Sequence, residues 1–151
     1  MPRPPATRPQ KSLMTPEDMA TCHARSFDGH GQVWSSGEIA SLLTSPHVFV
    51  VGDARCFAMG RVVTGEAELL TLACDPAHQG KGLGRTCLTA FEAEAQARNA
   101  EALFLEVAAD NIAAQTLYKT AGYTEAARRR AYYTRQGAAP VDALILRKPP
   151  T

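Results

Sequence analysis

The chain has 151 residues, the size of one ordinary domain built round a single core. Its 45% hydrophobic and 21% charged residues exclude collagen-like, coiled-coil and wholly disordered chains. No apolar run exceeds four residues, too short for a membrane helix or a signal segment, so no membrane association and a cytoplasmic location are expected. A formal charge of +1 gives no electrostatic case for direct nucleic-acid binding.

Residues 1 to 13 carry Arg3, Arg8, Lys11 and four prolines with no acid, a composition expected to form a disordered basic tail ahead of a domain over residues 14–151. Thr15-Pro16-Glu17-Asp18 reads as a helix start, with Thr15 as cap and acids at the positive end. Met19, Ala20, Cys22 and Phe27 supply its apolar stripe. A Gly-rich turn from Asp28 to Gly31 should end it, and Ser36 is expected to cap a second short helix through Leu42 and Leu43.

Val48 to Val51 and Cys56 to Val63 read as a hairpin about Gly52-Asp53-Ala54, with a third strand over Glu68 to Cys74. Residues 85–98, after a glycine loop at 80–84, place Leu88, Phe91 and Ala95 at helical spacing, with Glu94 and Arg98 as an i,i+4 pair. Leu103 to Ala108 is a buried strand, Asn111 caps a helix that Gly122 ends, and two last strands surround Gly137 to Pro140. The order ααβββαβαββ is α/β in content, better described as α+β. Its one β-α-β unit makes two strands parallel, and such units bind ligands beyond the carboxyl ends of their strands.

Cys22, Cys56, Cys74 and Cys87 lack metal-ligand spacing and read as buried free thiols, and the histidines add no ligand cluster, so no metal is expected. Gln79-Gly80-Lys81-Gly82-Leu83-Gly84 sits between a strand and a helix, where backbone N–H groups and the helix dipole attract an anion. A plain Gly-rich turn is the alternative. Glu106 is an acid inside an apolar strand, where an unpartnered charge is costly. It is therefore either a salt-bridged structural residue or a general base beside the cleft. Glu68 is the rival base. Asn111 and Tyr118, seven residues apart, share a helix face about 10.5 Å apart along the axis; a cap and a packing tyrosine are the bland account.

The loop, with Gln79, Gly82 and Gly84 in a Q/R-x-x-G-x-G/A pattern, resembles that of the GNAT superfamily of acetyl-CoA-dependent N-acetyltransferases. Leu103-Phe104-Leu105-Glu106-Val107, Asp110-Asn111, Ala113-Ala114, Leu117-Tyr118 and Ala121-Gly122-Tyr123, followed by Arg129 to Tyr133, are similar to the RimI family of ribosomal-protein alanine N-acetyltransferases. The resemblance covers roughly residues 14–148. It implies a GNAT fold, a mixed and mostly antiparallel twisted sheet whose central parallel β-α-β unit holds acetyl-CoA. It also implies acetyl transfer to a protein N-terminus, with a ribosomal protein as acceptor.

By the same resemblance Glu106 is the catalytic base and Tyr118 the acid that protonates the leaving thiolate. Gln79, Gly80, Lys81, Gly82, Leu83, Gly84 and Arg85 hold the pyrophosphate, Asn111 meets the pantetheine arm, and backbone amides of Leu72, Ala73 and Cys74 polarise the thioester. Trp34, Arg129, Tyr132 and Tyr133 border the acceptor. The chain departs from the family where Pro9 to Met14 makes a poor opening strand and where the turn between Asp28 and Val33 is long. An acetyltransferase acting on a small-molecule amine or a lysine, and a CoA-binding domain without turnover, are the other readings; oligomeric state is not legible.

Overall fold

The computed structural model describes residues 14–27 and 33–150; the expected tail and the Asp28–Gly31 turn lie outside the described residues. Helix α1 (Pro16–Ser26) opens with a capping box in which Thr15 and Asp18 bond each other's backbone N–H. Helix α2 (Ser36–Leu43) opens the same way, but its cap is Ser35 and not Ser36. The capping box explains the offset, because Glu38 stands three residues after Ser35 and returns a bond to the Ser35 N–H.

Strands β1 (Val48–Asp53), β2 (Cys56–Val63) and β3 (Glu66–Cys74) form the expected antiparallel meander. Helix α3 (Leu83–Ala97), strand β4 (Ala102–Ala108) and helix α4 (Ile112–Thr120) follow, then β5 (Thr124–Arg135) and β6 (Ala138–Lys148). The six strands lie in the order β1-β2-β3-β4-β6-β5, with β3 and β4 the one parallel pair. Asn111 caps α4 by accepting from the Ala114 N–H, and Gly122, at φ 104°, ends it. Pro140 falls inside β6 and not in the turn before it, beside a register shift where no ladder bond is required of it. No described helix is long and apolar enough to cross a membrane.

Helices pack on both faces of the sheet over β1–β3, while β5 is exposed along most of its length. Leu88 and Phe91 of α3 and Tyr118 of α4 pack on Leu69, Leu103 and Leu105, while Met19 of α1 and Ile39 of α2 pack on Phe57, Met59 and Ala73. Strand β3 carries a bulge that changes which of its residues face each core. Met59 and Gly60 of β2 are adjacent, but their partners are Thr71 and Leu69, leaving Leu70 as an extra residue. Leu69 therefore faces α3, and Ala73 faces α1.

The parallel pairing is short. It runs from Glu66 with Ala102 to Leu69 with Leu105; beyond the bulge β3 stays with β2 and β4 stays with β6. The two strands part there, and a wedge opens between their carboxyl ends.

Candidate active site

Two cavities meet at the wedge. A groove of about 840 Å³ runs along the Gln79–Arg85 loop and the start of α4, and a chamber of about 290 Å³ lies between β3, β4 and the end of α1. Phe27, Leu72, Asn111, Ala114 and Tyr118 line both, so the cavities adjoin.

Gly80 and Gly82 sit at φ 79° and 78°, and a Cβ built on either meets nothing within 4 Å. The turn therefore requires glycine for its backbone and leaves its outer face open. Gly82 caps α3 without a side chain, so the first-turn N–H groups, from Leu83 onward, have no side-chain cap and are available to an anion. Gln79 donates from Nε2 to the Cys74 carbonyl at 3.1 Å, closing the loop onto β3. Arg85 lines the groove and donates to Thr120 Oγ1 at 2.6 Å, while Lys81 is exposed at the loop tip and lines neither cavity.

The three amides expected to face a thioester are not equivalent. Asp75 donates its N–H to the Arg55 carbonyl across the β2–β3 pair, so strand alternation turns the Ala73 N–H toward β2 as well. Cys74 points the opposite way, but its N–H is taken by Ser26 Oγ at 3.2 Å. Leu72 shares that edge, and its N–H is the one directed into the wedge.

Glu106 lies on the face of β4 opposite Leu105 and Val107, so its carboxylate opens into the chamber and not into the α3 core. The Tyr133 hydroxyl donates to Oε2 at 2.9 Å, and Arg129 Nε lies 3.5 Å from Oε1. The charge inside an apolar strand is thus both partnered and accessible. Burial, then the Glu106 carboxylate, raise the Tyr133 pKa above the ordinary phenol value. Glu68 lines the same chamber but is bound by Arg61 at 2.8 Å. Across the wedge, Tyr118 is buried, and desolvation pushes its pKa up, so the phenol holds its proton at neutral pH. Trp34 and Tyr133 line the chamber; Tyr132, 49% exposed, stands outside it with the Arg129 guanidinium 5.1 Å over its ring.

The structure adds residues that sequence reasoning did not select. Arg135 holds Asp110 through two 2.8 Å bonds and lies over the Tyr133 ring, joining the residue before Asn111 to the acceptor wall. His23 is buried in a stack between Phe27 and Trp34, with ring centroids at 4.4 and 5.1 Å, and its Nδ1 accepts the Trp34 N–H at 3.3 Å. Its signal was its spacing, four residues after Met19 on the apolar stripe. All four cysteines are free; Cys22, Cys56 and Cys87 are buried and Cys74 is half-buried.

Burial lowers the His23 pKa from 6.5 to about 4. The unfolded chain takes up this proton near pH 6.5 and the folded one only near pH 4, so the stability held at neutral pH is lost as pH falls between those values, by roughly 3 kcal/mol. Denaturant titrations from pH 7 to 4 should show a shallower loss in His23→Phe than in wild type. Parallel losses in the two proteins would mean that His23 is not the group responsible.

Comparison with known proteins accords with this geometry. A family model described as the acetyltransferase (GNAT) family matches residues 17–123. The ribosomal protein bS18-alanine N-acetyltransferase of Escherichia coli K12 is 42% identical over 99 residues, 65% of this chain and 66% of that protein, so the alignment spans just under two thirds of its length. N-alpha-acetyltransferase RimI of Mycobacterium tuberculosis is 36% identical over 124 residues, 76% of this chain and 75% of that protein. The crystal structure of the ribosomal-protein-S18-alanine N-acetyltransferase from Escherichia coli superposes with a TM-score of 0.79 at 33% identity, covering 90% of this chain and 88% of that one. The parted parallel strands, the open glycine loop and the match over residues 17–123 lead to one conclusion: the chain belongs to the acetyltransferase (GNAT) family.

Proposed function

We propose that this protein transfers acetyl from acetyl-CoA to the N-terminal α-amine of a protein in the cytoplasm, with an alanine terminus and a ribosomal protein as the preferred acceptor class. One observation carries the reading. Glu106 and Tyr118 both line the chamber at the wedge, and Tyr118 also lines the groove that leads to the glycine loop. The residue read as the base lies in the chamber, and the residue read as the acid lies where chamber and groove adjoin.

The uncapped N-terminus of α3 and the groove-lining loop residues Gln79, Gly80, Gly82, Leu83, Gly84 and Arg85 hold the pyrophosphate, with Lys81 at the loop tip outside the groove. Asn111 keeps its cap bond through Oδ1, which leaves its amide nitrogen to donate to the pantetheine arm. The Leu72 N–H polarises the thioester carbonyl. Glu106, directly or through water, takes a proton from the acceptor ammonium, and the free amine attacks the carbonyl carbon. The carbon–sulfur bond breaks as Tyr118 gives its proton to the departing thiolate, and the surplus proton on the new amide nitrogen passes through water to the Tyr118 phenolate, while Glu106 releases its proton to solvent. Trp34, Arg129, Tyr132 and Tyr133 shape the acceptor side. No step requires a metal ion.

An α-amine is favoured over lysine on acid–base grounds. Their pKa values of about 7.7 to 8.0 and about 10.4 make lysine on the order of 3.5 kcal/mol worse at supplying a neutral nucleophile at pH 7. The test uses two peptides of one basic sequence, one with a free alanine terminus and one blocked there but carrying an internal lysine, at pH 7 and saturating acetyl-CoA. Faster acetylation of the free terminus is expected. Faster acetylation of the blocked peptide would reassign the acceptor to lysine, and acetyl-CoA binding with no transfer to either peptide would make this a non-catalytic domain.

A further inference from the structure

Asp142 stands on β6 at a junction of three elements. Its backbone carbonyl accepts the Ala109 N–H at 2.8 Å, fixing the connection from β4 to α4. Its carboxylate reaches sideways to β5, where Oδ1 accepts the Ala131 N–H at 2.9 Å and Oδ2 accepts from Arg128 Nη1 at 3.0 Å. Those two donors hold the Asp142 carboxyl below the usual range, so it is ionised at neutral pH.

The segment it grips is irregular. From Arg129 to Tyr133, β5 advances four residues while β6 advances two, from Ala143 to Val141. Two residues are looped out, and Ala131 is held at φ 50°, a left-handed conformation that alanine rarely adopts. A bulge of this kind also costs the ladder bonds of the residues it displaces, and the Asp142 carboxylate supplies a partner for one of them, the Ala131 N–H.

The residues that bracket the bulge are the two whose side chains meet Glu106. In a regular strand, positions four apart are separated by about 13 Å, too far for both to hold one carboxylate. With two residues taken out of register the spacing shrinks to roughly that of positions two apart, about 7 Å. Tyr133 then reaches one Glu106 oxygen and Arg129 the other.

We propose that Asp142 is a positioning residue for the acceptor side of the site, its carboxylate holding the β5 bulge in the conformation that brings Arg129 and Tyr133 together on Glu106. The inference rests on the reading of the Glu106 chamber as the acceptor site. Asp142 itself does not line either cavity.

The experiment compares Asp142→Ala and Asp142→Asn with wild type on a free-terminus acceptor peptide. Asp142→Ala should lower kcat/KM for the peptide by about tenfold or more, while the KM for acetyl-CoA stays within about twofold. Asp142→Asn should recover part of the loss, because its amide oxygen still accepts the Ala131 N–H. In an Arg129→Gln, Tyr133→Phe background the further effect of Asp142→Ala should shrink to under about twofold. An undiminished effect in that background, or equal losses toward both substrates, overturns the proposal. Hydrogen exchange scores the pin without reference to chemistry: Asp142→Ala should speed exchange at the Ala131 amide and leave β4 protected, and unchanged exchange at Ala131 also overturns it. Full activity of Glu106→Gln would remove the base assignment alone, with the exchange result and the double-mutant comparison still deciding Asp142.

Discussion

Glu106→Gln should lower turnover by about 10²- to 10⁴-fold at pH 7, the usual range for loss of a general base, and should recover partly as pH rises. The substitution keeps the side chain's volume and an oxygen to accept from the Tyr133 hydroxyl, so the change isolates loss of the charge. Recovery at high pH follows from the acceptor. Above its pKa of about 8 the amine is already neutral and needs no base. Tyr118→Phe should slow transfer without that recovery, because proton delivery to the thiolate is not replaced when the amine deprotonates. Steady-state rates from pH 6.5 to 9.5 on one free-terminus peptide check both variants. Full activity of Glu106→Gln together with an inactive Glu68→Gln would move the base to Glu68. The geometry argues against that outcome, since the 2.8 Å pairing with Arg61 engages the Glu68 carboxylate.

Gly82→Val should weaken acetyl-CoA binding by at least about tenfold, or ~1.4 kcal/mol. Two effects act together. At φ 78° a side chain strains the turn, and the new methyl groups enter the open face where the loop's N–H groups must approach an anion. Gly137→Val separates them. That glycine has φ 73° and open space around its Cβ, but it lies in the β5–β6 turn and lines neither cavity. Both variants should lose similar thermal stability, while calorimetry should find weaker acetyl-CoA binding only for Gly82→Val. Unchanged affinity in a folded Gly82→Val protein would reduce the loop to a structural turn.

The element order and the groups proposed for the site were legible in the sequence because they depend on local pattern. The alternation and apolar runs from Val48 to Cys74 produce the meander, the stripe of Leu88, Phe91 and Ala95 produces α3, and Asn111 and Gly122 bound α4. The glycine loop after β3 and the carboxylate in β4 stand out by themselves, since glycines at a strand–helix junction and a charge in an apolar run each need an explanation. Tertiary structure decided how these groups meet.

The adjacent Leu69 and Leu70 interrupt the apolar alternation of β3 without saying which face each takes, and only pairing with β2 reveals the bulge that turns Ala73 away from the face of Leu69. That shift lies where β3 and β4 part, and it leaves the Leu72 amide directed into the gap. His23 gave no more than a position on a helical stripe, whereas its burial depends on Trp34, ahead of α2, stacking on it beside Phe27 at the end of α1. The Arg-rich run of β5 likewise resembles a solvated edge in sequence. Its division into Arg128 on Asp142, Arg129 on Glu106 and Arg135 on Asp110 follows from register with β6, which no local pattern encodes. Local spacing thus marked the glycine loop and the strand carboxylate as candidates, the family resemblance gave them their acetyl-transfer reading, and strand register determined where they lie, because register is set by long-range pairing and not by neighbours in the chain.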